Sequence, residues 1–240
     1  MPHQHHITKA LERYGKGEDI LGTLKALVAD FPGAVTFSTS FGWEDQVITH
    51  LIKSNQLDIS IFTLDTGRLF PETYSTWSRT NEAYGMAVKA YYPNTDAIES
   101  FVTQNGPNAF YEAPEFRKTC CFIRKVEPLR RALAGNSVWI TGLRAEQSAT
   151  RENMDLFEWD EGNTVMKYNP LLPWHLSDVK QYISANKVPY NPLHDKGFVS
   201  IGCAPCTRAI KPGEDFRAGR WWWEDSTKKE CGLHVQTSQK

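Results

Sequence analysis

Apolar and polar positions along the chain follow two alternating patterns. In residues 20–29 the apolar side chains recur at the spacing of one helix face, and a Phe-Pro-Gly sequence at 31–33 then supplies residues that end a helix. Residues 34–37 form a short apolar, β-prone run, which leads through small polar residues into a second helical pattern over about 44–53. The sequence therefore predicts a helix followed by a strand, a loop and another helix.

The same succession recurs further along the chain. Strands are predicted over 59–64, 86–92 and 138–141, and helices over 96–104, over 114–133 and from Pro71 onward. Residues 156–168 have the pattern of a hairpin, and Ser177 is predicted to cap a helix that ends near residue 186. Alternating strands and helices are typical of a sheet with helices on both faces. The predicted fold class is therefore α/β, with a doubly wound, mostly parallel sheet.

The loops that follow the strands carry the best candidates for a ligand site. Ligands of doubly wound sheets bind beyond the carboxyl ends of the strands, where the loops 38–42, 65–68 and 142–151 should converge. Hydroxyls and glycines in these loops suit an anion at a helix N-terminus. Three arginines there could form paired hydrogen bonds to phosphate: Arg68, Arg144 and Arg151. Ordinary helix caps and solvated arginines are the alternative. Neither GxxxxGK[ST] nor GxGxxG occurs, which argues against the commonest nucleotide-binding folds.

Composition and charge narrow the class of protein. The 240 residues are 40% hydrophobic and 23% charged, which is typical of a globular protein. A formal net charge of -1 provides no overall basic field for nucleic acid or an anionic membrane. No apolar run approaches the roughly 20 residues that span a bilayer, and the first thirty residues have no export-signal pattern. We expect a cytoplasmic protein with neither a nucleic-acid nor a membrane partner.

Five cysteines give a sharper constraint. Cys120 and Cys121 are adjacent, Cys203 and Cys206 form a CxxC motif, and Cys231 stands alone. Thiolates at CxxC spacing converge on one metal or cluster, whereas adjacent side chains on a helix diverge by about 100°. An adjacent pair therefore suits a large cluster or a locally distorted helix. An iron-sulfur cluster, zinc and unligated core cysteines stay open, while the odd number and the missing export signal argue against disulfides.

Cys231 has a different setting from the other four. It lies in a polar segment, with Lys228 and Lys229 upstream and His234 downstream. Nearby cations lower the pKa of a thiol, and the thiolate is the form that attacks electrophiles. A nucleophile is one interpretation, and a spare surface cysteine is the other. We expect residues 1–210 to form the α/β domain and 211–240 to form a mobile tail that carries Cys231.

Seven motifs occur together in one order. They are STSFG at 38–42, LDTGRLFPETY at 64–74, KTCCFIRKVEPL at 118–129, TGLRAEQSATR at 141–151, GCAPCTR at 202–208, RAGRWWWE at 217–224 and KECGLH at 229–234. In these motifs the chain resembles the sulfonucleotide reductases, specifically the iron-sulfur type that acts on adenosine 5'-phosphosulfate. The resemblance extends over most of the chain.

The resemblance implies an adenine nucleotide alpha hydrolase-like fold, in which the loop 38–42 holds the sulfated phosphate. The substrate-binding residues expected from it are Ser38, Thr39, Ser40, Gly42, Leu64, Gly142 and Arg151, and the anion-binding argument adds Arg144. It implies one 4Fe-4S cluster held by Cys120, Cys121, Cys203 and Cys206. The catalytic residues it implies are Cys231 as nucleophile, Lys125 between cluster and substrate, and Arg217, Arg220 and His234 near the sulfate.

A reaction and a partner follow from the same resemblance. The Cys231 thiolate would attack the sulfur of the sulfate, AMP would leave, and a protein S-sulfonate would remain. Thioredoxin, as a separate dithiol partner, would then release sulfite. The cluster would position Lys125 and add an electrostatic field, rather than carry electrons.

Three other functions remain open from the sequence. Relatives without the paired cysteines prefer 3'-phosphoadenosine 5'-phosphosulfate, so use of that nucleotide, or of both, is the first alternative. A redox- or nucleotide-sensing metal module is the second, although it has no need of Cys231. An ATP-dependent ligase is the third, but it would be expected to keep an SGGxDS loop, which Thr39, Ser40 and Phe41 interrupt. The sequence leaves the oligomeric state open, including a homo-oligomer.

Overall fold

The computed structural model describes residues 9–15, 19–148, 151 and 153–224. Residues 9–14 are helical. The longer helices are α1 (Ile20–Asp30), α2 (Trp43–Ser54), α3 (Pro71–Tyr84), α4 (Thr95–Asn105), α5 (Pro114–Cys121), α6 (Glu127–Leu133) and α7 (Leu176–Asn186). The strands are β1 (Val35–Ser38), β2 (Ser60–Leu64), β3 (Lys89–Tyr91), β4 (Val138–Ile140), β5 (Phe157–Asp160) and β6 (Val165–Tyr168). Short 3-10 segments lie at Ala109–Tyr111, Ala145–Gln147, Pro192–Lys196 and Ala204–Cys206.

The six strands form one sheet in the order β3-β2-β1-β4-β6-β5. Every neighbouring pair is parallel except β5 with β6, which form the predicted hairpin. Phe37 of β1 pairs with Ile61 of β2 on one side and Ile140 of β4 on the other, and Phe37 and Ile140 are fully buried. The prediction of a doubly wound, mostly parallel α/β sheet is confirmed. The chain leaves β1 toward β2 and later returns to its other side as β4, so the strand order reverses between β1 and β4. A crevice forms at such a reversal.

Helix α7 differs from its prediction at its start. Ser177 was expected to cap it, but the helix begins at Leu176 with His175 as its N-terminal cap, so that prediction is wrong. The Asp178 carboxylate accepts the His175 backbone N–H at 2.8 Å, and Glu146 accepts the Leu176 N–H at 2.9 Å. Carboxylates at a helix N-terminus also interact favourably with its dipole. Two carboxylates, rather than the serine hydroxyl, therefore accept backbone N–H groups at the start of α7.

The helix predicted over 114–133 forms, but it is not a regular α-helix. Between α5 and α6 the segment Phe122–Val126 is π-helical. Pro128 lies in the first turn of α6 and has no N–H for the carbonyl of Arg124, four residues earlier, and its ring crowds that carbonyl. A wider turn relieves this conflict. The local distortion that an adjacent cysteine pair favours is therefore present directly after Cys121.

Three apolar clusters form the interior of the part of the chain that the structure describes. The largest packs the sheet against its flanking helices, and a second joins β2 and β4 to α6. The third is small and contains Phe110, Cys203, Cys206 and Trp221, with Cys120, Cys121 and Trp223 packed against it. The backbone reaches it again after residue 206: Thr207 and Arg220 form a bridge, and the Trp221 N–H donates to the Cys206 carbonyl at 3.1 Å. None of the helices in the described residues is long and apolar enough to cross a membrane.

Candidate active site

A cavity of about 220 Å³ opens beyond the carboxyl ends of β1, β2 and β4. The loops predicted to converge contribute its wall. Most of the residues predicted for the site line it: Ser38, Thr39, Ser40, Gly42, Leu64, Gly142, Arg151, Lys125, Arg217 and Arg220. It lies at the reversal of strand order, where a doubly wound sheet binds its ligand.

The loop after β1 is held in a fixed shape by its own backbone and neighbours. The Thr39 N–H donates to the Phe62 carbonyl at 2.8 Å, and the Phe41 N–H donates to the Thr39 hydroxyl at 3.1 Å. Phe41 has a left-handed φ of 61°, which side chains other than glycine rarely adopt. Its buried ring stacks on Trp77, with centroids 5.6 Å apart. This packing compensates for the backbone conformation and presents Gly42, at the start of α2, to the cavity.

Two buried carboxylates also line the cavity, and sequence reasoning missed both. Asp45 accepts the Ser40 N–H at 2.6 Å and the Ser40 hydroxyl at 2.7 Å. Burial raises the pKa of Asp45 to about 6, although the two Ser40 hydrogen bonds favour its charged form. A Cβ on Gly142 would lie 2.1 Å from Asp45 Oδ1, so a larger residue there would displace the carboxylate that binds Ser40. The second carboxylate is Glu44. In the sequence both resemble ordinary acidic residues of a first helical turn.

Arginine supplies much of the positive charge of the cavity. Arg151, Arg217 and Arg220 are each less than a tenth exposed, and burying a guanidinium is costly unless an anion or acceptors compensate. Arg220 Nη1 lies 3.4 Å from the Ser200 hydroxyl, and its buried Nε has no hydrogen-bond partner among the described residues. Its guanidinium packs directly on Gly202, where a Cβ would be 2.3 Å from Nη2. The cavity therefore suits an anionic ligand.

Two of the arginines suggested for phosphate are placed elsewhere. Arg144 is fully buried outside the cavity lining, and its Nε donates to Glu44 Oε1 at 2.7 Å. It also pairs with Glu146. Arg68 donates to the Pro107 carbonyl at 2.7 Å and to Asn108 Oδ1 at 2.8 Å. The structure therefore gives both guanidinium groups partners within the protein.

The two cysteine motifs come together at a second, smaller cavity next to the first. Cys120, Cys121, Cys203 and Cys206 all line it. The Thr66 hydroxyl lies 3.3 Å from the Cys203 sulfur. No three His, Cys, Asp or Glu side chains in the described part of the chain are placed to hold a single metal ion.

Positive charge surrounds these sulfurs. Burial alone would raise the pKa of Cys203, but Lys125, the Thr66 hydroxyl, Arg220 and Arg124 together lower it below the usual value. Arg124 Nη1 also donates to the Thr66 carbonyl at 2.5 Å. Lys125 lines both cavities. The π-helical segment thus places Arg124 and Lys125 at the cysteine cavity, and Lys125 also lines the anion cavity.

Cys231 and His234, predicted as nucleophile and sulfate ligand, lie outside the described residues. The described chain ends at Glu224, whose carboxylate accepts from Arg117 Nε at 2.6 Å. Trp221 is 1% exposed, and the Arg117, Arg217 and Arg220 guanidinium groups lie 4.8, 5.8 and 5.0 Å from its ring centroid. The part of the predicted tail that the structure describes therefore packs on the cysteine cluster up to Glu224.

Comparison with known proteins agrees with this geometry. Residues 34–209, which include β1 to β6, the anion cavity loops and the CxxC motif, match the phosphoadenosine phosphosulfate reductase domain. The chain belongs to this family.

Curated members named adenosine 5'-phosphosulfate reductase are about half identical to the chain. The protein from Sinorhizobium fredii (strain NBRC 101917 / NGR234) is 52% identical over 227 residues, which cover 95% of this chain and 90% of that protein. The protein from Burkholderia cepacia is 51% identical, with 90% and 87% covered.

Solved structures support the fold. The phosphoadenylyl-sulfate (PAPS) reductase of Candida auris, in a phosphate complex, aligns with a TM-score of 0.67 at 30% identity, covering 80% of this chain and 90% of that one. An FMN adenylyltransferase of Candida glabrata aligns at 0.55 and 15% identity, covering 89% and 77%, and shares the fold alone.

One residue of the cavity lining, His194, has no obvious signal in the sequence. His194 is buried, and its Nε2 accepts the Trp43 backbone N–H at 3.2 Å, while its ring stacks on Trp43. Its Nδ1 lies 2.7 Å from the Phe198 carbonyl, and burial lowers the pKa of His194 to about 4, so the neutral ring bridges α2 to residue 198. Only the contact across some 150 residues reveals this role.

Proposed function

We propose that this chain is an adenosine 5'-phosphosulfate reductase, which converts that nucleotide to sulfite and AMP in sulfate assimilation. The observation that carries the proposal is the placement of Lys125, which lines both the anion cavity and the four-cysteine cavity. The names of relatives about 50% identical over most of the chain support it.

The nucleotide would lie in the 220 Å³ cavity, with its sulfated phosphate at the loop 38–42. Hydroxyls and a helix N-terminus are suited to phosphate oxygens. Arg151, Arg217 and Arg220 would offset the negative charge of the phosphate and sulfate. Buried guanidinium groups interact strongly with anions, because little water screens them.

The chemical step would take place on the sulfate sulfur. The Cys231 thiolate forms an S–S bond to that sulfur, the S–O bond to the phosphate breaks, and AMP leaves with the electron pair. Nucleophile and sulfate are both anionic, so Lys125, Arg217, Arg220 and, in the proposal, His234 reduce their repulsion. A thiolate of thioredoxin then attacks Cys231 Sγ, and sulfite leaves with the electron pair. The second thioredoxin thiol frees Cys231 by forming the thioredoxin disulfide.

The four clustered cysteines fit an iron-sulfur group by their chemistry. Four cysteine thiolates are the usual donor set of a 4Fe-4S cluster. The cationic surroundings lower the pKa of Cys203, whereas burial raises the pKa of Cys120 and raises that of Cys206 to about 12. Cys120, Cys121, Cys203 and Cys206 would hold it. When bound, it would supply an electrostatic field close to Lys125 rather than electrons, since thiols already supply the two electrons needed.

The test is a turnover and labelling experiment on anaerobically purified protein. We expect visible absorption near 400 nm, sulfite release with thioredoxin, and a sulfonate on Cys231 when nucleotide is added without reductant. Cys231→Ser should keep the absorption and release no sulfite. A colourless protein would refute the cluster, and an unmodified Cys231 with continued sulfite release would refute the nucleophile.

Substrate choice is tested separately, because the Candida auris relative is named for the 3'-phosphorylated nucleotide. We expect kcat/KM to be higher for adenosine 5'-phosphosulfate, as the names of the closer-matching relatives suggest. A higher value for 3'-phosphoadenosine 5'-phosphosulfate would reverse the assignment. A cytoplasmic location fits a reaction that consumes thiols, since that compartment keeps thiols reduced.

A further inference from the structure

The register of β1 against β4 brings a buried indole to the anion-binding loop. Trp139 pairs with Thr36, and Ser38 lies two residues further along β1 on the same face. Such a diagonal neighbour is within reach of an aromatic side chain. Trp139 is 1% exposed, and its Nε1–H donates to the Ser38 hydroxyl oxygen at 2.8 Å. The contact is built into the central strands rather than into the loop.

The three hydroxyls of the loop have different hydrogen-bond roles. Thr39 Oγ1 accepts the Phe41 N–H, and the Ser40 hydroxyl donates to the Asp45 carboxylate. The indole N–H can only donate, so Ser38 Oγ is held as an acceptor. The Ser38 proton therefore remains available for another acceptor, and Ser38 lines the cavity. Accepting one hydrogen bond also strengthens the one that a hydroxyl donates.

We propose that Trp139 is a positioning residue for nucleotide binding. Its indole N–H fixes Ser38 Oγ as an acceptor and so directs the Ser38 hydroxyl proton to a phosphate oxygen of the ligand. The inference rests on the proposed function in one respect, the phosphate at the loop 38–42. It adds a donor whose direction is set by the strand beneath the loop.

The test removes the indole N–H and keeps an aromatic ring. The probe is AMP, and its affinity is measured by calorimetry on the cluster-loaded full chain. Trp139→Phe should bind AMP about tenfold more weakly, which corresponds to the loss of one charge-assisted hydrogen bond. Ser38→Ala should show a similar loss, and the double variant should be no weaker than Ser38→Ala. Trp159→Phe is the matched control: Trp159 lies on β5 at the edge of the sheet and does not line the cavity. Its AMP affinity should stay at the wild-type value.

Each other outcome overturns part of the reasoning. If Trp139→Phe weakens AMP binding equally in the Ser38→Ala background, the indole acts by packing and not through Ser38. If Trp139→Phe binds AMP normally while Ser38→Ala does not, the positioning role of Trp139 is wrong, but the phosphate still lies at the loop 38–42. If Ser38→Ala itself binds AMP normally, the phosphate does not lie at Ser38, and both the inference and that part of the proposed function fail.

A second measurement does not depend on the folding of Trp139→Phe. In wild-type protein labelled with ¹⁵N at the indole nitrogens, the Nε1–H resonance altered by Ser38→Ala should also shift when AMP is added. The control resonance is the one lost in Trp159→Phe, which should not respond to Ser38→Ala. A Ser38-sensitive indole resonance that ignores saturating AMP would overturn the proposal.

Discussion

Replacing Arg144 with methionine tests whether this residue serves the fold or the ligand. Arg144 is fully buried, and its partner Glu44 is about 10% exposed at the side chain. Removing one member of a buried ion pair costs about 3–5 kcal/mol, because the other charge is left without compensation. Unfolding entropy of about 2.1 cal/mol/K per residue corresponds to roughly 0.5 kcal/mol per degree for a chain of this length. Arg144→Met should therefore lower the Tm by about 6–10 °C.

The same variant should also weaken AMP binding, but indirectly. Glu44 lines the anion cavity, and without Arg144 its charge would face the ligand. Adding Glu44→Gln removes that charge, so the double variant should regain at least half of the lost Tm and bind AMP within about threefold of wild type. Arg131→Met is the control, because Arg131 and Glu127 form an exposed pair, 46% and 34% accessible. An exposed pair contributes at most about 1 kcal/mol.

Thermal unfolding followed by circular dichroism, together with calorimetry with AMP well below the lowered Tm, separates the two roles. If the double variant regains stability but still binds AMP ten times more weakly, Arg144 contacts the nucleotide, as the sequence suggested. If Arg144→Met lowers the Tm no more than Arg131→Met does, the buried pair stabilises the fold no more than an exposed pair does.

Three further predictions concern the cavity wall. Gly142→Ala should weaken AMP binding at least tenfold, because the new Cβ would lie 2.1 Å from Asp45 Oδ1. Calorimetry measures this, and Gly162→Ala is the control, because a Cβ there would lie an ordinary 3.5 Å from Asp160 Oδ1. Gly202→Ala should displace the Arg220 guanidinium and so lower kcat for sulfite release, with only a small change in Tm. An AMP affinity and a kcat equal to those of the wild type would contradict this. Asp45→Asn should change the pH dependence of stability. The pKa of Asp45 is about 6 in the folded protein against 3.8 in the unfolded chain, so the folded wild type holds a proton that the unfolded chain releases. The free energy of unfolding of the wild type should therefore fall by about 2–3 kcal/mol, relative to that of the variant, as the pH rises from about 4 to 7. Urea titrations across that range measure the difference, and a constant difference would refute the burial argument.

The sequence predicted the sheet and most of the cavity lining for one physical reason. Periodicity locates strands and helices, and in a parallel sheet the loops after the strands meet at one edge, so Ser38 and Gly142 come together without knowledge of side-chain packing. Turn and cap details were less predictable. Ser177 is a good capping residue, yet the Asp178 and Glu146 carboxylates satisfy the first turn of α7 and move its start.

Pairs of distant residues account for most of what the sequence did not reveal. Arg144 looks like a phosphate ligand in its motif, and only its contact with Glu44, a hundred residues away, shows where its charge is balanced. The same holds for the indole of Trp139, which in the sequence is simply an apolar position of a strand. A strand pattern states which face is buried, but the direction of one N–H depends on the register of the neighbouring strand.

The π-helical segment connects the anion cavity and the cysteine cavity by direct side-chain contacts. It follows Cys121 directly and carries Arg124, whose guanidinium binds the Thr66 carbonyl, while the Thr66 hydroxyl lies against the Cys203 sulfur. The loop after β2, the CxxC motif and the cysteine helix are thereby fixed relative to one another. Lys125 is the next residue, so its position at the anion cavity depends on the packing around the sulfurs. Disturbing that packing should therefore lower the rate of the proposed attack on the sulfate, even when no residue at the proposed nucleotide site has been changed.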